Sequence, residues 1–255
     1  MLSQTRRPKR FVLLAAIAAA TLAVNASPAQ AKVRSSVSGS LLKVSGGNGV
    51  DRVTVACVGG LVKVNGKDPR TGAVSCDRVS EVDVNARAGN DRVDLSGVGS
   101  GTGFGQRDVP GGFGHGTGCG VQLGEGSDRY IGGKSCFNLV LTGPGNDRVS
   151  GGELRDQLEG GPGDDVLAGG SGPDVIVGNA GNDKLSGGAD DDLLSGNAGD
   201  DRLLGGVGND LLGGGSGMDS LFGGPGDDQL IGGKDKDRLN GGPGNNTLVQ
   251  DSPTK

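Results

Sequence analysis

The chain's chemistry is concentrated in its aspartates, which are regularly spaced. Asp147, Asp156, Asp165, Asp174, Asp183, Asp192, Asp201, Asp210, Asp219, Asp228 and Asp237 recur every nine residues, and Asn246 takes the next place. Two residues after each comes an aliphatic side chain, from Val149 and Leu158 through to Leu239 and Leu248. One unit reads Gly160-Gly161-Pro162-Gly163-Asp164-Asp165-Val166-Leu167-Ala168, and twelve such units fill residues 142–249 without insertion. Carboxylates in this pattern could serve acid–base chemistry, hold a cation, or form a solvated acidic edge. A fixed internal period decides the architecture before any other feature is weighed.

The first six residues of a unit are glycine-rich, as a tight turn with positive φ requires. The last three leave room for only a very short strand, in which the aliphatic eighth residue points inward while the seventh and ninth point out. Two units then make an eighteen-residue coil, and the twelve units make six coils stacked at about 4.8 Å. Stacking places Asp147, Asp165, Asp183, Asp201, Asp219 and Asp237 along one edge, and Asp156, Asp174, Asp192, Asp210 and Asp228 along the other. Two such charges about 5 Å apart repel by roughly 1 kcal/mol in water and about 3 kcal/mol at an effective dielectric near 20. A divalent cation between them reverses the sign. Carboxylate and carbonyl oxygens in a loose glycine turn suit calcium better than magnesium, which demands tighter octahedral geometry. Two inward aliphatics per coil are also too little apolar burial to offset the ordering of a glycine-rich chain, so folding is expected to be coupled to the ion.

This stretch resembles the RTX, or haemolysin-type, calcium-binding nonapeptide-repeat family, on the motif G-G-x-G-x-D-x-U-x repeated twelve times over under half of the chain. The resemblance implies an all-β fold, a parallel β-roll (β-solenoid), and several Ca2+ ions between turns of adjacent coils, held by Asp carboxylates and turn carbonyls. That role falls on the eleven aspartates from Asp147 to Asp237 named above. Leu154, Asp190 and Asp235 replace the glycine at the fourth position and Asn246 replaces the last aspartate, so weaker or missing ions are expected there.

The remaining chain is less regular. Residues 1–31 read as an export signal: Arg6, Arg7, Lys9 and Arg10 precede an apolar run from Phe11 to Val24, then Ala29-Gln30-Ala31. The run is shorter than the ~20 residues that span a bilayer, so a secreted, extracellular product is expected. Without those four cations the formal charge moves from −5 to −9. Residues 142–249 carry nineteen acidic against seven basic residues, whereas 32–141 carry ten against thirteen. An acidic repeat block disfavours nucleic acid and anionic lipid as partners of the roll. Residues 32–96 alternate like strands, with degenerate units at 46–53 and 88–93, and read as an irregular β-rich cap. Residues 97–120 are nearly half glycine and read as a flexible loop, 121–141 as degenerate repeats, and 250–255 as a tail. Cys57, Cys76, Cys119 and Cys136 are an even set with three possible connectivities. The separations of Cys57 from Cys76 and of Cys119 from Cys136 are close to one coil, so each pair could staple neighbouring coils.

Enzyme motifs fail. Gly132-Gly133-Lys134-Ser135 lacks the upstream glycine of a phosphate loop, there is no G-x-S-x-G, and His115 is the only histidine. With no Trp, little is left to stack on sugars in a glycosidase cleft. The outward residues divide by sheet: Arg148, Lys184, Arg202 and Arg238 on one, Val175, Leu193 and Leu211 with Val177, Ile231 and Val249 on the other. The first sheet is expected to be polar and wet. The second offers an apolar strip for a protein partner or a second copy. The expectation is a secreted, non-enzymatic calcium-binding protein that folds or stiffens on extracellular calcium, with a structural or surface-interaction role. The alternative is a calcium-stabilised hydrolase or adhesin with its site in 32–141.

Overall fold

The computed structural model describes residues 33–65, 67, 69–70, 72–98, 107–108 and 115–250. The segment read as an export signal, most of the glycine-rich segment and the last five residues lie outside the described residues.

Alternation of inward and outward residues, interrupted by glycine turns every nine residues, winds the chain back and forth between two sheets. Among the described residues, one sheet has ten strands: Leu61–Val64 pairs with Arg52–Val58, followed in space by Arg92–Gly97, Arg129–Ile131, Arg148–Gly152, Val166–Ser171, Lys184–Ala189, Arg202–Val207, Ser220–Phe222 and Arg238–Asn240. The other has twelve and runs from Arg34–Ser38 and Leu41–Ser45 through Glu81–Asn85, His115–Gln122 and Cys136–Leu141 to Thr247–Val249. Neighbouring strands of the repeats are parallel and one coil apart, as in Leu185 opposite Leu203. The architecture is the expected all-β parallel β-roll.

The strands are longer than the three residues expected. Eight of the twelve in the repeats span six, as in Val166–Ser171, because pairing continues into the next unit's glycines, with Gly170 opposite Gly188. A Cβ on Gly170, whose φ is +122°, would stand 2.2 Å from the Gly152 carbonyl oxygen, so only glycine lets adjacent coils approach there. The interior is a stack of eighth-position aliphatics from both sheets, each buried from Leu158 to Leu230. At the last coil no described strand stacks on top, and Leu239 is half-buried and Leu248 is 49 % exposed.

The cap closes the other end with antiparallel pairs, Arg34–Ser38 on Leu41–Ser45 and Arg52–Val58 on Leu61–Val64. Both cysteine pairs are disulfides. Cys119 and Cys136 join adjacent parallel strands of neighbouring coils. Cys57 and Cys76 do not staple coils as expected. They tie the antiparallel hairpin to the short 3-10 turn Cys76–Arg78 that follows it, because the chain reverses inside this coil before continuing. The glycine-rich segment is also not all loop: His115–Gln122 forms a strand between Glu81–Asn85 and Cys136–Leu141. Backbone pairing on both sides holds it in the sheet, and Cys119 anchors it in the core.

Candidate metal centre

The sixth-position aspartates point inward and are almost fully buried, from Asp147 at 1 % exposure to Asp228 at 2 %. They form two ladders. In each, the backbone N–H of one aspartate donates to Oδ1 of the aspartate one coil later: Asp147 to Asp165 and Asp183 to Asp201 at 2.8 Å on one edge, Asp174 to Asp192 at 2.8 Å on the other. A second, exposed ladder runs the opposite way outside the turns. Asp164 N–H donates to Asn146 Oδ1, Asn182 N–H to Asp164 Oδ1, and Asp200 N–H to Asn182 Oδ1. Alternation of Asn with Asp keeps these outer charges two coils apart, which weakens their repulsion.

The inner ladders leave one oxygen without a use. Oδ2 of Asp91, Asp128, Asp147, Asp156, Asp165, Asp174, Asp183, Asp192, Asp201, Asp210, Asp219 and Asp228 is buried and has no hydrogen-bond partner. Such a group normally costs about 1–3 kcal/mol or more when charged. Burial accordingly pushes six of these carboxyls upward, with neighbouring carboxylates adding to the effect: Asp165, Asp192 and Asp201 to about 7, Asp174 to about 8, and Asp210 and Asp219 to about 6. The backbone hydrogen bond to Oδ1 opposes the shift and does not cancel it.

From Gly151 to Gly232 the glycine at the first position of each unit makes room for that oxygen. A Cβ on Gly205 would lie 2.3 Å from Asp210 Oδ2 and 2.7 Å from the Gly223 carbonyl oxygen; on Gly223, 2.2 Å from Asp228 Oδ2 and 2.6 Å from the Gly241 carbonyl oxygen. The rungs of Asp156, Asp165, Asp192, Asp201, Asp210, Asp219 and Asp228 thus aim one carboxylate oxygen and one carbonyl oxygen of the next coil at the same small volume. No three Asp, Glu, His or Cys side chains converge on one point among the described residues. A hard cation here must therefore take backbone carbonyls as well as carboxylates, which suits calcium.

The ladders extend beyond what the repeat pattern alone marks. Asp51 N–H donates to Asp91 Oδ1, Asp91 N–H to Asp128 Oδ1 and Asp128 N–H to Asp147 Oδ1, at 2.7, 2.6 and 2.7 Å. One edge of the solenoid is therefore lined with aspartate from Asp51 to Asp237. The degenerate units at 46–53 and 88–93 and Asp128 were the sequence signal for this. The glycine cradle returns only at Gly46, where a Cβ would stand 2.1 Å from Asp51 Oδ2, an oxygen that already accepts from Gly47 N–H at 2.7 Å; Ala86, Leu123 and Thr142 occupy the first position before Asp91, Asp128 and Asp147, and their side chains are buried.

The opposite edge is different. Its column runs Leu42, Val82, Cys119, Asn138 and only then Asp156. Asn138 closes the row: its Nδ2 donates to Asp156 Oδ1 at 2.7 Å and its Oδ1 accepts from buried Tyr130. At the far end Asn246 Oδ1 accepts from Asp228 N–H at 2.8 Å, and its Nδ2 donates to the Gly242 carbonyl at 2.9 Å. Asp237, last on the first edge, receives Gln250 Nε2 on Oδ2 at 2.7 Å. At the fourth position Asp190 and Asp235 adopt φ of +78° and +79°, matching the left-handed glycines they replace.

A parallel β-solenoid whose turns carry buried, stacked carboxylates defines a class of metal-binding repeat protein. The family model for the RTX calcium-binding nonapeptide repeat (4 copies) matches residues 141–176, 177–212 and 213–248, somewhat under half of the chain. Comparison with curated proteins finds no matching relative. No helix among the described residues is long and apolar enough to cross a membrane.

On the outer face of the twelve-stranded sheet, Val175, Leu193 and Leu211 stand in one register column, with Leu193 42 % and Leu211 38 % exposed. Ile231 lies in the neighbouring outward column, two residues further along the strand on the same face, opposite Gly213 and Val249.

Proposed function

We propose that this chain is an exported, non-enzymatic protein whose roll is completed by calcium, acting as a structural or surface-interaction element. The observation that carries this reading is the repeated buried Oδ2 without a partner, facing a carbonyl of the next coil across a gap that only glycine leaves open. Asp156, Asp165, Asp174, Asp183, Asp192, Asp201, Asp210, Asp219 and Asp228 would hold the ions together with turn carbonyls. Asp147, beside Thr142, and Asp237, already engaged by Gln250, would hold end ions more weakly. Calcium bound there supplies the positive charge that the two carboxylate rows lack. Asp91 and Asp128 keep the ladder aligned in the cap but lack the cradle. The paired cysteines are consistent with an oxidising, extracellular setting.

Circular dichroism in calcium and then in chelator, joined to calcium stoichiometry by calorimetry, tests the reading. The expected result is loss of β signal in chelator and uptake of several ions. A chelator-insensitive spectrum, or no uptake at millimolar calcium, would overturn it. The Val175, Leu193 and Leu211 column is the surface proposed for a protein partner or second copy. Changing Leu193 and Leu211 to Lys should alter oligomeric state or attachment, and unchanged behaviour in both would make the column ordinary surface.

A further inference from the structure

The ten-stranded sheet carries a row of cations that the repeat pattern does not require. Strand register places Arg52 opposite Arg92, Arg92 opposite Arg129, and Arg129 opposite Arg148, so four arginines stand one above another on adjacent strands. The same column continues to Lys184 and Arg202 after Val166. All six cations are exposed. Like charges directly opposite one another in a sheet destabilise it, and none of the four arginines has an ion-pair partner among the described residues.

Each of these cations directly follows a buried ladder aspartate, so the row could exist only to offset the ladder's charge. The other edge argues against that. There Asp156, Asp174, Asp192, Asp210 and Asp228 are just as buried, yet Gln157, Val175, Leu193, Leu211 and Gln229 follow them. A carboxylate ladder therefore does not need a cation beside it.

We propose that this face binds an extended anionic polysaccharide, lying as a single chain along the solenoid axis with its carboxylates or sulfates on successive guanidinium groups. The row is one side chain wide and advances about 4.8 Å per strand, close to the length of one pyranose ring. Guanidinium forks match carboxylate and sulfate oxygens in bidentate fashion. The width disfavours broader anions: exposed Asp164 and Asp200 line the adjoining turns and would meet a flat anionic membrane or a duplex. A single-stranded nucleic acid would want aromatic rings to stack on. The one described ring on this face, Phe222, is already covered by the Arg202 guanidinium at 4.6 Å.

The test is binding of the calcium-loaded full chain to a short oligogalacturonate and to a heparin oligosaccharide. Neutral dextran, single-stranded DNA and phosphatidylglycerol vesicles serve as comparisons. The expected result is salt-sensitive binding to the acidic glycans that weakens at least about tenfold in the Arg92→Gln, Arg129→Gln double variant, with melting temperature and calcium stoichiometry unchanged. Lys43→Gln, on the outer face of the other sheet, should leave binding intact. No binding to either glycan, equal loss in Lys43→Gln, or tighter binding to DNA or vesicles would each overturn the proposal. Failure of the calcium reading would appear separately, in the stoichiometry.

Discussion

Replacing one interior rung, Asp201→Asn, should move stability in opposite directions with and without calcium. Asn246 is the natural precedent, since it keeps the ladder hydrogen bond through Oδ1 and satisfies its amide on the Gly242 carbonyl four residues before it. Asp201 accepts the same ladder bond on Oδ1, from Asp183 N–H at 2.8 Å, but its Oδ2 has no partner. The amide would remove a buried charge and present a donor where an unsatisfied acceptor stood, with the Asn197 carbonyl as the equivalent receiver. Relief of one unsatisfied buried group amounts to about 1–3 kcal/mol, so the calcium-free variant should be more stable than the parent by about that amount. In calcium the sign inverts. A site filled at about 100 times its Kd contributes about 2.7 kcal/mol, and the variant should lose that, or about twice that if the carboxylate serves two rungs. Urea denaturation followed by circular dichroism, in chelator and in millimolar calcium, reads both arms. Added sucrose, equal in all samples, keeps the calcium-free parent folded enough to measure. A shift of the same sign in both conditions would refute the reasoning.

The metal-free roll should be more stable in mild acid than at neutral pH. The carboxyls of Asp174, Asp201 and Asp210 have folded values raised to about 8, 7 and 6, so the native state binds more protons than the unfolded chain, and stability present below about pH 4 is lost as pH rises through that window. Thermal melts in chelator from pH 4 to 8 check this, and a melting temperature that climbs with pH would contradict it. Gly205→Ala should reduce calcium stoichiometry, because its Cβ would stand 2.3 Å from Asp210 Oδ2; calorimetry decides it. Asp91→Asn should leave stoichiometry unchanged, since Ala86 fills the cradle beside it, and a lost ion would extend the metal row into the cap. Leu203→Ala removes a fully buried side chain and should cost about 2–5 kcal/mol in calcium, measured by denaturant midpoint.

The nine-residue period alone determined the coil length, the inward aliphatic column and the two aspartate edges, because a strict repeat forces every unit into the same backbone path. The acidic excess and the even cysteine count were equally legible, being properties of composition. Tertiary structure decided what depends on register between coils of unequal length. Asp51, Asp91 and Asp128 are 40 and 37 residues apart, and only the stacking reveals that hydrogen bonds join them in one ladder. The Cys57–Cys76 bridge spans about the expected interval yet ties a hairpin to a turn, since sequence distance cannot tell a coil from a chain reversal. Likewise Arg52, Arg92, Arg129 and Arg148 are scattered in the sequence and become neighbours only through parallel pairing, where strands far apart along the chain are brought to hydrogen-bonding distance.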